Sequence, residues 1–470
     1  MKRPHILWIM TDQHRFDALS CTGGLPGMTP NLDRLAQDGV LFRTCYTLSP
    51  VCGPARAALK SGCFPPGCGA VKNWRNSRDG IEWLPQRLAD AGYDTGMAGK
   101  LHLFPNDRSY GFRWKALSDA PYSVYAGEDK QSQYIRWLRE QWHGKDPVPF
   151  FDGDESAYNT DLHRFIAGSG FRSKTEHETV WTGDRALEYL ANRPTDRPFF
   201  FFLSYFGPHQ PYLAPSPYDR WADPDEITLP RSYYEDCMKG HPVFEATCRA
   251  LRSRVETELT EYQVRRLAAQ YYGQIRMIDE DIGRVLDELR RQNLYDDTMI
   301  IFTSDHGDHL GQYGLFFKGQ MYDSCCRVPL IIKPAGTGRT GRTVSQVVNS
   351  LDLYGTVLDA AGDDGWKTPQ TEAGSLTELL ADGPEEPGEA RSIVGADRNR
   401  AVCMLRRGPW KLIRLATGGS EHAVYELYDL ESDPEETIDR YEDADAADVR
   451  ARLQPELDDW FRVQYSRYPK

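Results

Sequence analysis

RPFFFFLSYF, residues 197–206, is an unbroken apolar run. A strand with one wet face alternates polar and apolar side chains. A run without alternation has to bury both faces, inside a sheet covered on each side. Other stretches fit around it. Ile6–Met10, VLFRTCYTL (40–48), YDTGMAG (93–99) and DDTMIIFTSDHGD (296–308) read as strands, while TPNLDRLAQDG (29–39) and LPQRLADAG (84–92) read as helices with Pro starts and Gly stops. Val264, Leu267, Tyr271, Ile275, Ile278, Ile282, Val285 and Leu289 recur every three or four residues and predict one long amphipathic helix. Strands alternating with helices predict an α/β fold with a largely parallel sheet.

At 470 residues the chain is too long for one compact core. We expect a catalytic domain over 1–385 and a smaller C-terminal domain over 386–470. AVCMLRRGPWKLIRL (401–415) and EHAVYELYDLESDPEE (421–436) read as antiparallel strands, and DVRARLQPELDDWFRVQY (448–465) as a closing helix. Residues 103–180, rich in Trp, Tyr, Arg and Asp, read as a long excursion, and 365–392, rich in Pro, Gly and Glu, as a linker. The formal net charge of −13 argues against a nucleic-acid partner. No apolar run approaches the ~20 residues of a membrane span, and His5–Met10 is too short for a signal sequence. The ten cysteines lack zinc-type spacing and read as reduced thiols. These features predict a cytoplasmic protein without a membrane partner.

In open α/β sheets ligands bind beyond the carboxyl ends of the strands. There the sequence places Asp12 and Gln13, then Cys52 with Arg56, then Lys100 and His102, then His209, and last Asp305 and His306. Asp12, Gln13, Asp305 and His306 suit one divalent cation. Arg56, Lys100, His102, His209 and Lys318 supply cationic donors, and the helix expected over 55–60 turns its N-terminus toward an anion. Together they describe a socket for a tetrahedral anion with a nucleophile at its floor.

Cys52-Gly53-Pro54-Ala55-Arg56, followed by ALKSG, resembles the C-x-P-x-R signature of the sulfatase family. TPNLDRLAQDGVLF, GMAGKLHL, DDTMIIFTSDHGDHLG, RVPLII and GPWKLIRL…ELYDLESDPEE are similar to stretches that sulfatases carry in this order, so the resemblance covers nearly the whole chain. It implies an alkaline-phosphatase-like domain, a large mixed and mostly parallel sheet flanked by helices, with a short antiparallel sheet plus helix after it. It implies that Cys52 is oxidised to formylglycine by a formylglycine-generating enzyme. The hydrated aldehyde would attack the sulfur of a sulfate monoester with one oxygen and release sulfate through the other. Carried over, Asp12, Gln13, Asp305 and His306 are the metal set, and Lys100 and Lys318 bind sulfate oxygens. Arg56 braces the diol, His102 is the base for its collapse, and His209 with Lys318 protonates the leaving group. Asn73 reads equally as a substrate contact and as a loop cap.

Many sulfatases have aspartate where this chain has Gln13 and asparagine where it has His306. Calcium is the expected metal, with manganese the alternative that the added nitrogen ligand favours. The expected substrate is a carbohydrate or small alcohol sulfate, with Arg113-Trp114, Arg136-Trp137, Trp142 and Tyr158 as candidate sugar contacts. A homo-oligomer is compatible with these features. The nearest rival is a phosphonate or phosphate monoester hydrolase of the same superfamily. Phosphonate hydrolases typically carry neutral hydroxyl residues where this chain has Lys100 and His102, which on an extended segment would share one face. A two-zinc phosphatase lacks its second ligand set here, and a thiol redox protein leaves four of the strand ends unexplained.

Overall fold

The computed structural model describes residues 3–119, 132–141, 173–336, 341–395, 397–419 and 421–469. Strand β1 spans His5–Asp12, β2 Val40–Tyr46, β3 Asp94–Gly99, β4 Trp114–Leu117, β5 Phe199–Pro208, β6 Thr298–Ser304, β7 Arg327–Lys333, β8 Arg342–Val344 and β9 Val348–Asn349. They form one sheet in the order β4-β3-β5-β1-β6-β7-β2-β8, with β9 also paired to β2. β1 runs parallel to both β5 and β6, and β3 parallel to β5. β7 runs antiparallel to β6 and to β2. The sheet is therefore mixed and mostly parallel, as the strand–helix alternation predicts.

Both faces are covered. Ile6, Trp8 and Met10 of β1 share one face with Phe200, Phe202, Met299 and Ile301, beneath the helices Cys52–Ser61, Leu84–Asp90 and Asp352–Ala361. Leu7 and Ile9 share the other with Phe201, Leu203, Ile300 and Phe302, beneath Pro30–Asp38, Glu178–Asn192 and Glu261–Arg291. Each buried phenylalanine of the 199–202 run contributes about 1.5–3 kcal/mol by leaving water. The helix Glu261–Arg291 opens on a reciprocal cap between Thr260 and Gln263, and its expected apolar stripe is buried from Val264 to Leu289.

A second sheet, β10 (Glu389–Val394), β11 (Val402–Arg407), β12 (Trp410–Ala416) and β13 (Ala423–Asp429), is an antiparallel meander. The helix Ala447–Arg467 adds Leu453, Leu457 and Phe461 to the core that holds Leu405, Leu412 and Leu427. Lys411 of β12 is buried, with Nζ 2.9 Å from Asp323 and 2.7 Å from Glu436. No helix among the described residues is long and apolar enough to cross a membrane.

Three expectations change. The helix expected over 55–60 begins at Cys52, because Pro54 falls in its first turn, where a missing N–H costs nothing. Residues 365–392 are not a free linker: Trp366, Leu376 and Leu379 are buried in the core, and β10 begins at Glu389. Of the proposed sugar contacts, Trp114 packs on Tyr189 and Phe201, and Trp137 stacks on Tyr134. These two rings dock the excursion onto the sheet, while Trp142 and Tyr158 lie outside the described residues.

Candidate active site

The carboxyl ends of β1, β3, β5 and β6 meet at one edge, and the helix Cys52–Ser61 starts there. Asp12, Cys52, Asp305 and His306 are buried, and one ligand atom from each lies within 4.8 Å of all the others. Cys52 Sγ is 3.3 Å from His306 Nε2 and 3.8 Å from Asp12 Oδ1. His306 Nδ1 lies 2.9 Å from the Gly307 carbonyl, so Nδ1–H donates there and the Nε2 lone pair faces the cluster. That is the tautomer a cation needs.

Arg56, one turn inside the Cys52 helix, is fully buried and hydrogen-bonded through all three side-chain nitrogens. Nε donates to Asp305 Oδ2 at 2.7 Å and Nη2 to Asp12 Oδ2 at 3.1 Å. Nη1 donates to the Lys100 carbonyl at 2.8 Å and to Ser204 Oγ at 2.7 Å. Arg56 thus locks both carboxylates and ties the ends of β3 and β5 to the helix. Lys100 Nζ sits 2.6 Å from Asp12 Oδ2, while Lys318 Nζ is 3.8 Å from Asp12 and 2.6 Å from Gln13 Oε1.

Gln13 has a left-handed backbone, φ 69°, and its N–H donates to Asp305 Oδ1 at 3.1 Å. Its amide nitrogen donates to Asp308 Oδ2 and to Tyr212 OH. With the nitrogen end so occupied, Oε1 is turned toward the Lys318 side of the cluster. Two carboxylates, an imidazole lone pair and this amide oxygen form a donor set that suits a divalent cation.

The charges balance closely. Burial by itself would raise the Asp12 carboxyl, but Lys100, His209, Lys318 and Arg56 outweigh it and hold it well below the usual range. Burial and Asp12 push the Cys52 thiol up, yet Lys100, Lys318 and His306 prevail and bring it well below an ordinary thiol. Asp305 is raised, by burial first and by Asp12 second. Burial opposes charge on His306, but Asp305 more than compensates and raises it.

His209 follows β5, with Nδ1 2.6 Å from the Gln210 carbonyl and Nε2 4.0 Å from Asp12 Oδ1. Burial, then Lys318, lowers it to about 4, so its Nε2 offers a lone pair until an anion favours the imidazolium. Asn73 Oδ1 accepts from the Gly53 N–H at 2.9 Å, which caps the first turn of the Cys52 helix. His102 does not lie on an extended segment: Gly99 and His102 both have positive φ, 97° and 53°. A Cβ at Gly99 would stand 1.8 Å from the Ser204 carbonyl, so glycine is required for β3 to end against β5. The His102 ring is buried, lies against Trp74 and Phe104, and has no hydrogen-bond partner on either nitrogen among the described residues.

Asp12, Gln13, Cys52, Arg56, Lys100, His209, Asp305, His306 and Lys318 thus come together at this edge, with Asn73 on the Cys52 helix, while the His102 ring contacts Trp74 and Phe104 instead. Sequence reasoning missed Asp308, Tyr212, Ser204 and Trp74. Asp308 ends the quoted DHGD motif, and Tyr212 stands three residues beyond His209, so proximity in sequence was their only signal.

A family model described as Sulfatase matches residues 4–363, and one described as N-sulphoglucosamine sulphohydrolase, C-terminal, matches 311–462. An arylsulfatase of Clostridium perfringens is 29% identical over 460 residues, 92% of this chain and 89% of its own. An N-acetylglucosamine-6-O-sulfatase of Bacteroides thetaiotaomicron is 26% identical over 523 residues, 97% of this chain and 86% of its own. Among solved structures, the phosphonate monoester hydrolase of Agrobacterium radiobacter superposes with a TM-score of 0.81 at 26% identity, over 98% of this chain and 96% of that one. With a mixed sheet of this order, a buried Asp–Cys–Asp–His cluster at its carboxyl edge and a family model spanning most of its length, this chain belongs to the sulfatase family.

Proposed function

We propose that the protein hydrolyses a sulfate monoester of a carbohydrate or small alcohol, using a formylglycine made from Cys52 by a formylglycine-generating enzyme. The observation that carries this reading is the buried thiol in the first turn of a helix, 3.3 Å from His306 and under the joint influence of Lys100 and Lys318. The hydrated aldehyde would supply one oxygen to attack sulfur and a second whose deprotonation releases sulfate. Asp12, Gln13, Asp305 and His306 would hold a divalent cation, calcium first and manganese second, which would supply Lewis acidity there.

The remaining work falls to the chain's own groups. Lys100 and Lys318 bind and neutralise the sulfate oxygens. The Cys52 helix turns the positive end of its dipole toward the anion, while its Gly53 N–H donates to Asn73, Pro54 has no N–H and the Ala55 N–H donates to the Val51 carbonyl. Arg56 holds Asp12 and Asp305 in place, and through them the nucleophile. His209 donates a proton from Nε2 to the departing alcohol oxygen, its Nδ1 fixed by Gln210. His102 takes a proton at a ring nitrogen that has no competing partner among the described residues. The ten unpaired cysteines fit a reducing, cytoplasmic location. We assign residues 1–385 to catalysis and 386–470 to a C-terminal domain.

Likeness to a phosphonate monoester hydrolase supports a second reading, hydrolysis of phosphonate monoesters. The two cationic donors on a sulfate monoanion favour the first. The test is mass spectrometry of the peptide spanning Cys52, with kcat/KM for phenyl sulfate and a phenyl phosphonate ester on the same preparation. An aldehyde mass and the higher kcat/KM for sulfate are expected. An unmodified thiol, in protein from a host able to modify it, or a preference for the phosphonate, overturns the proposal.

A further inference from the structure

Trp74 follows Asn73, whose side chain caps the helix that bears Cys52. It is 60% exposed, the only tryptophan so placed among the described residues. Its backbone is left-handed, φ 64°, a conformation that a bulky residue adopts at a cost. One part of its ring is held 5.1 Å from the His102 ring and 4.9 Å from Phe104. The rest faces solvent. Apolar burial does not account for a strained, largely exposed indole fixed against a histidine at the site's rim. An aromatic surface kept open for a ligand does.

The residues on either side say what ligand. Lys72 is exposed and Arg75 half-buried, and neither makes an ion pair among the described residues. A quaternary ammonium would find the indole attractive but the two cations repulsive. A saccharide presents an apolar ring face for stacking, and a second acidic group on it would meet Lys72 and Arg75.

We propose that Trp74, flanked by Lys72 and Arg75, is the binding platform for the leaving group, and that this leaving group is a hexose ring carrying an additional sulfate or carboxylate. The proposal rests on the sulfate ester reading and narrows its substrate class. Trp74 touches no reacting atom. It acts on binding and specificity.

The test uses metal-loaded Cys52→Ala protein and isothermal titration with glucosamine 2-N,6-O-disulfate and with ethyl sulfate, which has no ring to stack. Trp74→Ala should weaken disulfate binding at least about tenfold, Trp74→Phe within about threefold, and neither should move ethyl sulfate more than about twofold. Replacing Lys72 and Arg75 together by Ala should flatten the salt dependence of disulfate binding and leave that of ethyl sulfate unchanged. Turnover by the Cys52-containing enzyme should show the Trp74→Ala loss in KM, with kcat held within about twofold. Equal losses for both ligands, or no loss for the disulfate, would overturn the platform and leave Trp74 a support for His102. If the unsubstituted enzyme hydrolyses ethyl sulfate but Trp74→Ala shows no selective loss, only this inference falls. If it hydrolyses no sulfate ester, the broader reading falls with it.

Discussion

Arg56 and Gln13 carry the most demanding geometry at the residue scale, and only part of it could be read in advance. The C-G-P-A-R spacing pointed to Arg56 as a group near the nucleophile. It did not say that the guanidinium would be consumed by Asp12, Asp305, Ser204 and the Lys100 carbonyl. Gln13 was legible as a ligand candidate, but the partner that orients it, Asp308, was not. Asp305→Ala should lose the bound divalent metal altogether, checked by elemental analysis of dialysed protein. Asp308→Asn should keep the metal but weaken it by about 10–100-fold, since it frees the Gln13 amide to turn over. Unchanged metal affinity in Asp308→Asn would show that Gln13 needs no such orientation. In the proposed mechanism Lys100 donates to the transition-state oxygens, so Lys100→Ala should lower kcat/KM for a sulfate ester by roughly 10²-fold. A loss of less than about threefold would remove Lys100 from that role.

Between residue and molecule, the elements explain why the site is rigid. The helix Glu178–Asn192 brings Glu178 fully into the core, where it accepts from Ser118 at 2.5 Å and Thr182 at 2.7 Å and lies 3.4 Å from the Phe206 N–H. It thereby joins the segment after β4 to β5, the strand that delivers His209. Burial raises its carboxyl to about 7, against those hydrogen bonds and Lys100. The folded value lies above the ordinary carboxylate value, so the stability Glu178 contributes is complete below pH ~4.5 and is lost as pH rises through about 7. The loss amounts to about 3 kcal/mol at most. Urea unfolding at pH 5 and pH 8 should show the unsubstituted protein losing more stability than Glu178→Gln over that interval. Parallel curves for the two proteins would contradict it. Nothing in the local sequence around Glu178 announces this, because a Glu at a helix start is ordinarily a solvated partner of the helix dipole.

For the whole molecule, the question is how the second sheet is fastened to the first. Lys411 of β12 bridges Asp323, four residues before β7, and Glu436, beyond β13; Lys411 and Glu436 are buried and Asp323 is half-buried. Burial, reinforced by Asp323 and relieved by Lys411, lifts Glu436 to about 7. Lys411→Met should strand two carboxyl groups in the interior and destabilise the protein by about 3–5 kcal/mol. Denaturant unfolding checks the magnitude. A loss below about 1 kcal/mol would mean the apolar contacts of Leu405, Leu412 and Leu427 fasten the sheets without it. The same core explains why the Pro, Gly and Glu-rich stretch at 365–392 is not a linker. Composition advertised flexibility, but Trp366, Leu376 and Leu379 had somewhere to be buried.

Periodicity and punctuation were enough to reveal β1, β2, β3, β5, β6 and the strands β11 to β13, the long helix and the parallel character of the sheet, because these depend on which side chains must leave water within one short stretch. The chemical types at the strand ends were equally plain. What waited on the tertiary structure was adjacency. Gln13 and Asp305 lie 292 positions apart and touch because β1 and β6 pair in parallel, and that pairing is settled by the packing of both sheet faces, not by either strand alone. The same holds for the aromatic residues. Trp114, Trp137 and Trp74 look alike in the sequence, yet two are half-buried against the core and one is left open beside His102. Each side chain's hydrophobicity belongs to the chain, but which of them finds a partner depends on the surface that the rest of the fold offers it.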